Sequence, residues 1–257
     1  MQRPRIIPCL LLSGEQLVKT KKFKHPTYLG DPMNAVRIFN EKGVDELCIQ
    51  DIEASKAGRE INFDLLGNIA SEAFMPLCYG GGIHTLSQAE RLFRIGFEKV
   101  MINTALVENS ALISEIAQRV GSQSVMASID ATRDGLGHWC VAIRGGSKRV
   151  SVSPRDLALR AQALGAGEVL LNCIPQDGMR KGYQLALVRE VASALAIPLI
   201  ACGGAGSAED LAAVLHQGGA HAAAAGSLFV YYGPLQAVLI HMPEESELKN
   251  AGVYGND

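Results

Sequence analysis

The chain has 257 residues, 48% of them apolar, and a formal net charge of -2. This length is sufficient for one large core, and the near-neutral charge argues against nucleic acid as a partner. No apolar run reaches the roughly 18 residues of a membrane span, so we expect no membrane partner either. The stretch "IIPCLLL" after two arginines resembles a short signal peptide, but no small-x-small cleavage site follows it. We therefore expect a cytoplasmic protein.

Strand-like apolar runs alternate with amphipathic helical stretches along the chain. The predicted strands are, in order, "RIIPCLL", "ELCIQDI", "PLCYGG", "KVMIN", "SVMASID", "EVLLNCI", "PLIACGG" and "HAAAAGS". Stretches between them, such as "PMNAVRIFNEKG" and "AEDLAAVLHQGG", have helical spacing, and several end in glycine, the usual helix stop. Eight apolar strands with helical crossovers predict a single α/β domain over residues 1–257, a (βα)8 barrel. A doubly wound open sheet is the alternative.

The loop after the first strand, "SGEQLVKTKKFKHPTYLG", is long and basic. Its length and its lysines, which include Lys19, predict a mobile lid over a phosphorylated ligand. A solvated loop without such a role is the alternative.

The second half of the chain repeats sequence motifs of the first half in the same order. "PLCYGGG" recurs as "PLIACGGAG", and "GVDELCIQD" recurs as "GAGEVLLNC". We predict two (βα)4 half-barrels, about 1–122 and 123–240, followed by a C-terminal tail at 241–257. When the first strands of the two halves are aligned, Leu11 falls opposite Asp130.

The repeated glycines predict two anion sites. In a barrel, the loops after the strands build the active face, and glycine-rich turns let backbone N–H groups approach an anion. One predicted phosphate site is Gly80–Gly82 beside Asn103 and Thr104, and the other is Gly203 and Gly204 beside Gly226 and Ser227. Two opposed sites imply an elongated ligand with a phosphate at each end. Glycines that only close tight turns are the alternative.

Six cysteines are present, and none forms a C-x-x-C pair. Five lie inside or at the end of strand-like runs, so we expect buried, reduced thiols rather than disulfides. The histidines show no H-x-x-x-H or H-x-H spacing. We predict no metal site and no cofactor.

Motifs spread over residues 3–235 resemble the cyclase subunit of imidazole glycerol phosphate synthase. They include "RIIPCL", "DELCIQDI", "GGGI", "INTA", "GAGE" and "ACGGAG". The resemblance implies a (βα)8 barrel that receives ammonia from a glutaminase subunit docked at its N-terminal face. It also implies a lyase and cyclase reaction that converts a bisphosphorylated ribonucleotide into imidazole glycerol phosphate and an aminoimidazole carboxamide ribonucleotide.

The resemblance implies two catalytic aspartates, at the ends of the first and fifth strands. Asp130 occupies the second position, but Leu11 occupies the first and can neither donate nor accept a proton. Lys19 or Asp177 could take over that proton transfer. The resemblance implies that substrate and phosphates are bound by Lys19, Asp51, Gly81, Gly82, Asn103, Thr104, Asp177, Gly178, Gly203, Gly204, Gly226 and Ser227. Pro175 and Met179 depart from the family pattern, replacing an acid and a phosphate-binding threonine.

Charged residues stand at the starts of four predicted strands. The resemblance implies that they form a ring gating the entry of ammonia, made of Arg5, Glu46, Lys99 and Glu168. Glu98 and Gln123 lie near the same face and are expected to contact the glutaminase. Without the resemblance, a solvated network of salt bridges is the alternative.

Leu11 indicates a divergent paralogue. "PCLLL" and "FMPLCYGGGI" are most similar to a branch associated with surface-polysaccharide synthesis. In that branch the barrel is expected to pass ammonia to a separate sugar amidotransferase, which turns an acetamido group into an acetamidino group. A true cyclase subunit of histidine synthesis is the second hypothesis. A sugar-phosphate isomerase barrel is the third, and the charges at the strand starts argue against it.

Overall fold

A computed structural model of the chain describes residues 3–233 and 235–255. Its main strands are β1 Arg5–Ser13, β2 Leu47–Asp51, β3 Leu77–Gly80, β4 Lys99–Ile102, β5 Val125–Arg133, β6 Glu168–Cys173, β7 Leu199–Cys202 and β8 Ala222–Ala225. Each of these strands pairs in parallel with the next, and β8 pairs in parallel with β1. The sheet is therefore closed, which confirms the predicted (βα)8 barrel and shows that the open-sheet alternative is wrong.

Helices cover the outside of the barrel. They are α1 Pro32–Lys42, α2 Phe63–Glu72, α3 Leu86–Arg94, α4 Ala111–Val120, α5 Pro154–Ala163, α6 Leu185–Ala192, α7 Ala208–His216 and α8 Glu245–Asn250. Shorter helices span Ala54–Ala57, Thr104–Glu108 and Ser227–Val230, and 3-10 turns span Ser122–Ser124 and Ile174–Gln176. Across residues 3–233 and 235–255, every helix is too short or too polar to cross a membrane.

Local sequence signals set the helix ends. Asp31 caps α1 by accepting a hydrogen bond from the Met33 N–H, Pro32 opens the helix, and Gly43 ends it with φ 61°. In α3, Thr85 and Gln88 form a reciprocal capping box. These signals set where each crossover helix begins and ends. Because all eight barrel strands are parallel, their carboxyl ends lie on one face of the barrel.

Two apolar layers hold the barrel. The outer layer packs the sheet against the helices and includes the fully buried Phe39, Leu66 and Leu92. The inner layer fills the lumen and includes Ile7 and Met126. Strands buried on both faces need continuous apolar runs, which is why the eight runs could be read from the sequence.

The stretch after β1, predicted as a long loop, forms a β-hairpin. Its strands, Gln16–Lys21 and Lys24–Gly30, pair antiparallel, and the first also pairs with the end of β1. Lys22 and Phe23 have φ of 53° and 61°, the left-handed backbone of a two-residue hairpin turn that is usually built from Asn and Gly. The expected mobility of this segment stays a prediction.

The end of β5 is also followed by antiparallel strands. The strands Trp139–Ile143 and Lys148–Val150 extend the sheet beyond β5, as the first hairpin extends it beyond β1. Each first strand of the two proposed half-barrels therefore carries an antiparallel extension. A separate small hairpin pairs Tyr231–Tyr232 with Ala237–Val238.

The C-terminal tail packs on the barrel through α8. Leu248, Val253 and Tyr254 are buried. The Arg3 guanidinium lies 4.0 Å from the centre of the Tyr254 ring, which ties the tail to the N-terminal end of β1.

Candidate functional site

The carboxyl ends of the eight strands surround a cavity of about 580 Å³. Every residue predicted for the active face lines it: Leu11, Lys19, Asp51, Gly81, Gly82, Asn103, Thr104, Asp130, Asp177, Gly178, Gly203, Gly204, Gly226 and Ser227. The structure thus brings together residues contributed by all eight strand ends.

Asp130, near the end of the β5 barrel segment, is buried beside the cavity. The Asn103 amide donates to Asp130 Oδ2 over 3.2 Å. Burial raises the pKa of Asp130 to about 7, with help from the charge of Asp177 and against the hydrogen bond from Asn172. A carboxyl group that titrates near neutral pH can both donate and accept a proton in a reaction.

Leu11 lies at the matching position of β1, with Gln50 of β2 as its neighbour in the sheet. It is 9% exposed and lines the same cavity as Asp130. The first half-barrel therefore presents an apolar side chain where the second presents a carboxyl group.

The other two predicted acids of the cavity are already paired. Asp51 accepts two hydrogen bonds from Arg59 Nη2, over 2.9 and 3.1 Å, and one each from the N–H groups of Glu53 and Ala54. These contacts fix the Asp51 side chain at the start of the loop after β2. Arg59, which supplies two of them, was not predicted from the sequence.

Asp177 binds the hairpin that follows β1. Its carboxylate accepts from Lys19 Nζ over 2.9 Å and from Thr20 Oγ1 over 3.1 Å, and all three residues are buried. The Asp177 carbonyl accepts from the Lys22 N–H over 2.9 Å. These contacts tie the hairpin to the loop after β6 at the rim of the cavity. Asp51 and Asp177 each pair with a cation, whereas Asp130 has no cationic partner among the described residues.

The two glycine turns have matching close contacts. Gly81 and Gly203 have φ of 126° and 87°. A Cβ atom would lie 2.6 Å from the Asp51 carbonyl oxygen in the first turn and 2.6 Å from Asn172 Oδ1 in the second. Glycine is therefore required at both positions by backbone conformation and by space.

The two turns differ in the polar groups that they leave free. In the first turn, the Gly82 N–H donates to Ser55 Oγ over 3.1 Å, and Thr104 Oγ1 accepts from the Arg144 N–H over 3.1 Å. Beside the second turn, Ser227 Oγ and Asn172 Oδ1 are buried and find no hydrogen-bond partner among the residues described. Buried polar atoms without partners are rare and commonly meet a ligand or water.

The opposite end of the barrel is closed by the four predicted charges. Arg5 Nη1 lies 2.5 Å from Glu46 Oε2, and Arg5 Nη2 bonds Glu168 Oε1. Lys99 Nζ lies 2.8 Å from both Glu46 and Glu168. Each cation thus bridges both acids, and we call Arg5, Glu46, Lys99 and Glu168 the charged ring.

Burial makes the charged ring different from a solvated surface network. The side chain of Glu46 is 2% exposed and that of Lys99 is 17% exposed. Burial raises the pKa of Glu46, while Lys99 and Arg5 oppose the rise. Burial lowers the pKa of Lys99, but the two carboxylates outweigh it and leave that pKa raised. Each charge therefore depends on its neighbours, because an isolated ion would be costly at this depth.

Three exposed residues precede barrel strands on the face that carries the charged ring. Glu98 and Gln123, predicted for this face, are exposed just before β4 and β5. Phe74 was not predicted; it is 90% exposed in the loop before β3. The sequence feature that could have indicated this exposed residue is the position of Phe74 in "EAFMP", outside any helical or strand pattern.

Comparisons with known proteins agree with this architecture. A family described as "Histidine biosynthesis protein" matches residues 5–236. A protein of Pseudomonas aeruginosa named as imidazole glycerol phosphate synthase subunit hisF2, a name marked there as provisional, is 50% identical over 96% of this chain and 99% of its own length. A Vibrio vulnificus protein with the similarly provisional name of subunit hisF3 is 47% identical over 98% of this chain and 97% of its own.

A third relative, from Leptospira borgpetersenii, carries the same kind of provisional name and is 45% identical over 96% of this chain and 98% of its own. The matches run from the charged ring through the last barrel strand. With a closed (βα)8 barrel and relatives of this identity over nearly its full length, the chain belongs to the histidine biosynthesis protein family, among proteins named as imidazole glycerol phosphate synthase subunits.

Proposed function

We propose that this chain is the barrel subunit of a glutamine amidotransferase complex, and that it delivers ammonia for acetamidino-sugar formation in O-antigen or surface-polysaccharide synthesis. In this complex a glutaminase binds the N-terminal face, and the cavity at the other face takes a phosphorylated ligand. The observation that carries the proposal is the contrast between the two ends of the barrel. The charged ring is complete, whereas Leu11 occupies one of the two positions where catalytic carboxyl groups are expected.

Two further observations support a protein partner. The relatives from Pseudomonas and Vibrio are both named as subunits of a synthase, which implies an assembly with another chain. On the face that carries the charged ring, Phe74 exposes an aromatic ring before β3, and the polar Glu98 and Gln123 are exposed before the next two barrel strands. Exposed aromatic side chains inside a polar rim are typical anchors of protein interfaces. The glutaminase is therefore proposed to bind this face.

The lumen suits neutral ammonia better than ammonium. Above the charged ring the barrel is lined by apolar groups, including Ile7, Met126 and Leu170. An ion entering such a layer would lose its hydration without compensation, whereas ammonia would lose much less. We infer that a rearrangement of the charged ring admits ammonia and that the lumen carries it to the cavity.

The cavity is proposed to bind a phosphorylated small molecule. Gly203, Gly204 and the unpartnered Ser227 Oγ form the site that is better prepared to accept an anion. Lys19 supplies positive charge nearby. Gly81 and Gly82 form the second proposed site, where the Ser55 contact to Gly82 would have to be exchanged for the ligand.

A true imidazole glycerol phosphate synthase subunit is the second candidate function. Asp130, with its pKa of about 7, favours it because one group suited to proton transfer is present. Ring closure and cleavage need a proton donor and an acceptor on opposite sides of the ligand. Loss of one of them should cost at least ~3 kcal/mol of transition-state stabilisation. We therefore expect little or no synthase turnover with free ammonium.

Calorimetry with the cognate glutaminase tests the docking face. We expect a stoichiometric complex, and Phe74→Ala should weaken it by at least about tenfold, as loss of an aromatic anchor does. Leu136→Ala is the matched control, because Leu136 is 84% exposed but lies in the hairpin beyond β5 at the opposite end of the barrel. Absence of a complex at tens of micromolar would count decisively against the proposal.

The acceptor of the ammonia is tested by isotope labelling. The barrel, the glutaminase and the sugar amidotransferase are incubated with an acetamido sugar and with glutamine labelled at its amide nitrogen. The proposal predicts label in the acetamidino group and a loss of that label when the barrel is omitted. Label in imidazole glycerol phosphate, when the bisphosphorylated ribonucleotide is supplied instead, would establish the second candidate function.

A further inference from the structure

The hairpin that follows β1 spans the mouth of the cavity and contacts two loops on the far side. The Lys22 N–H donates to the Asp177 carbonyl, in the loop after β6, over 2.9 Å. A Cβ atom added at Gly146, in the hairpin beyond β5, would lie 2.9 Å from Phe23 Cδ2, so the Phe23 ring packs on that glycine. Because β1 and β5 stand on opposite sides of the barrel, these contacts join three segments into one surface over the cavity mouth.

This surface is rich in positive charge. In the hairpin beyond β5, Arg144 and Lys148 share a single carboxylate, that of Glu108. Five further cations of the three segments lie at the surface and form no ion pair among the described residues: Lys21, Lys22, Lys24, Arg149 and Lys181. We call these five residues the basic rim. The chain as a whole has a net charge of -2, so this face differs in sign from the rest of the molecule.

The basic rim lies outside the cavity. The first hairpin contributes Lys19, Thr20, Phe23 and Pro26 to the described cavity lining, whereas no member of the basic rim belongs to that lining. Lys19 is buried and its ammonium group binds the Asp177 carboxylate. A ligand inside the cavity would therefore meet Lys19, and the basic rim is placed for a partner that approaches the mouth from outside.

Other exposed groups of the same hairpins favour a protein as this partner. Tyr28 is 61% exposed in the first hairpin, and Leu136 is 84% exposed at the start of the hairpin beyond β5. Aromatic side chains among charged groups are typical of protein interfaces. Glu108 interrupts the positive charge and would repel the continuous negative charge of a nucleic acid or an anionic membrane. An acidic protein surface can place its own charges to avoid Glu108.

We propose that the basic rim binds an acidic surface of the enzyme that accepts the ammonia, so that this enzyme covers the cavity mouth. The inference rests on the proposed function, in which ammonia leaves the barrel at this end. Ammonia released into water is protonated and diluted, and a partner bound over the mouth would prevent both losses. The two partners would then occupy opposite ends of the barrel, the glutaminase at the charged ring and the accepting enzyme at the basic rim.

Binding of the sugar amidotransferase to the complex of barrel and glutaminase tests the proposal. Association should be much weaker at an ionic strength of about 0.15 M than at about 0.01 M, because the screening length falls from roughly 30 Å to roughly 8 Å. The test variant reverses three charges of the basic rim and should bind at least about tenfold more weakly at low salt, chiefly through slower association. It combines Lys24→Glu, Arg149→Glu and Lys181→Glu.

A matched control changes the net charge by the same amount on the outer helices α1, α5 and α6. It combines Arg37→Glu, Arg160→Glu and Arg189→Glu, all at exposed positions, and should bind the amidotransferase as the wild type does. Both variants should still bind the glutaminase and raise its rate of glutamine hydrolysis, which shows that each is folded. An amidotransferase that does not bind the wild type, or that binds the test variant equally well, would overturn the proposal. Binding of duplex DNA or anionic vesicles in its place would also overturn it.

Transfer of labelled amide nitrogen to the acetamidino group separates this proposal from the proposed function. Transfer by the wild type that is undiminished in the test variant would overturn the docking surface and leave the proposed function standing. Absence of transfer by the wild type, together with binding that depends on the basic rim, would overturn the proposed function and support the docking surface.

Discussion

Replacing Leu11 by aspartate would return a carboxyl group to the end of β1, opposite Asp130. Leu11 lines the cavity that Asp130 also lines, so the new carboxyl group would face the same ligand. In the second half-barrel the matching carboxyl group is buried and titrates near neutral pH. The substitution therefore supplies the second proton-transfer group without rebuilding the site.

The two effects of Leu11→Asp can be compared in magnitude. One general acid or base contributes on the order of 10²–10⁴ in rate, which is roughly 3–5 kcal/mol. Loss of the leucine side chain, 9% exposed, should lower the free energy of unfolding by roughly 1.5–3 kcal/mol. The open cavity beside it lets water reach the new carboxylate, which keeps the further desolvation cost small. We expect a less stable protein with at least tenfold faster turnover.

The assay is turnover of the bisphosphorylated ribonucleotide with free ammonium, so no glutaminase is needed. Leu11→Asn is the control: it has the size of aspartate and a similar loss of apolar contact but cannot exchange a proton near neutral pH. Pro175 and Met179, in the loop after β6, should limit the gain in turnover, because they replace the acid and the phosphate-binding threonine of the family pattern. Wild-type turnover equal to that of an ordinary cyclase subunit, or an equal gain in both variants, would refute the reasoning.

Four further predictions concern the cavity and the charged ring. Nuclear magnetic resonance titration should give Asp130 a pKa of about 7, and Asp177→Asn should lower it by removing a like charge. The folded state holds the Asp130 proton more tightly than the unfolded state, so the free energy of unfolding should fall as pH rises from about 4 to about 7. Asp130→Asn should remove this contribution to the pH dependence. A wild-type free energy of unfolding that does not change with pH in this range, as in the variant, would contradict the prediction. Gly203→Ala should lower the urea midpoint of unfolding more than Gly137→Ala does. Both glycines have φ 87°, but an added Cβ atom contacts Asn172 only at Gly203. Equal decreases in the two variants would show that the contact with Asn172 has no effect on stability. Lys99→Met should lower the free energy of unfolding by about 3 kcal/mol, because it leaves Glu46 and Glu168 less compensated. Arg37→Met, which breaks an exposed pair with Glu72, should cause a much smaller loss. Similar losses in the two variants would show that burial of the charged ring is unimportant.

The barrel could be predicted from the sequence because its strands are buried on both faces. Each strand must then be a short apolar run, and the internal repeat places the glycine turns after β3 and β7 on one face. The grouping of the cavity residues followed from the same rule, since the carboxyl ends of barrel strands meet.

Features that depend on loop paths or on contacts between strands could not be read in this way. The Lys22–Phe23 turn lacks the glycine that usually marks a two-residue hairpin. Arg59 and Ser55 reach Asp51 and Gly82 only because the loop after β2 folds back over the strand ends. The pairing of Cys48 with Cys78 across two strands depends on the register between those strands, which the sequence pattern does not fix.

Binding of the cognate glutaminase to the barrel, measured together with its rate of glutamine hydrolysis, is the most direct test of the central claim. The account predicts a one-to-one complex, a hydrolysis rate that rises as the barrel is added and saturates at equivalence, and the loss of both effects in a variant that reverses the charges of Lys99 and Glu168. A glutaminase that neither binds the wild-type barrel nor changes its rate would contradict the account.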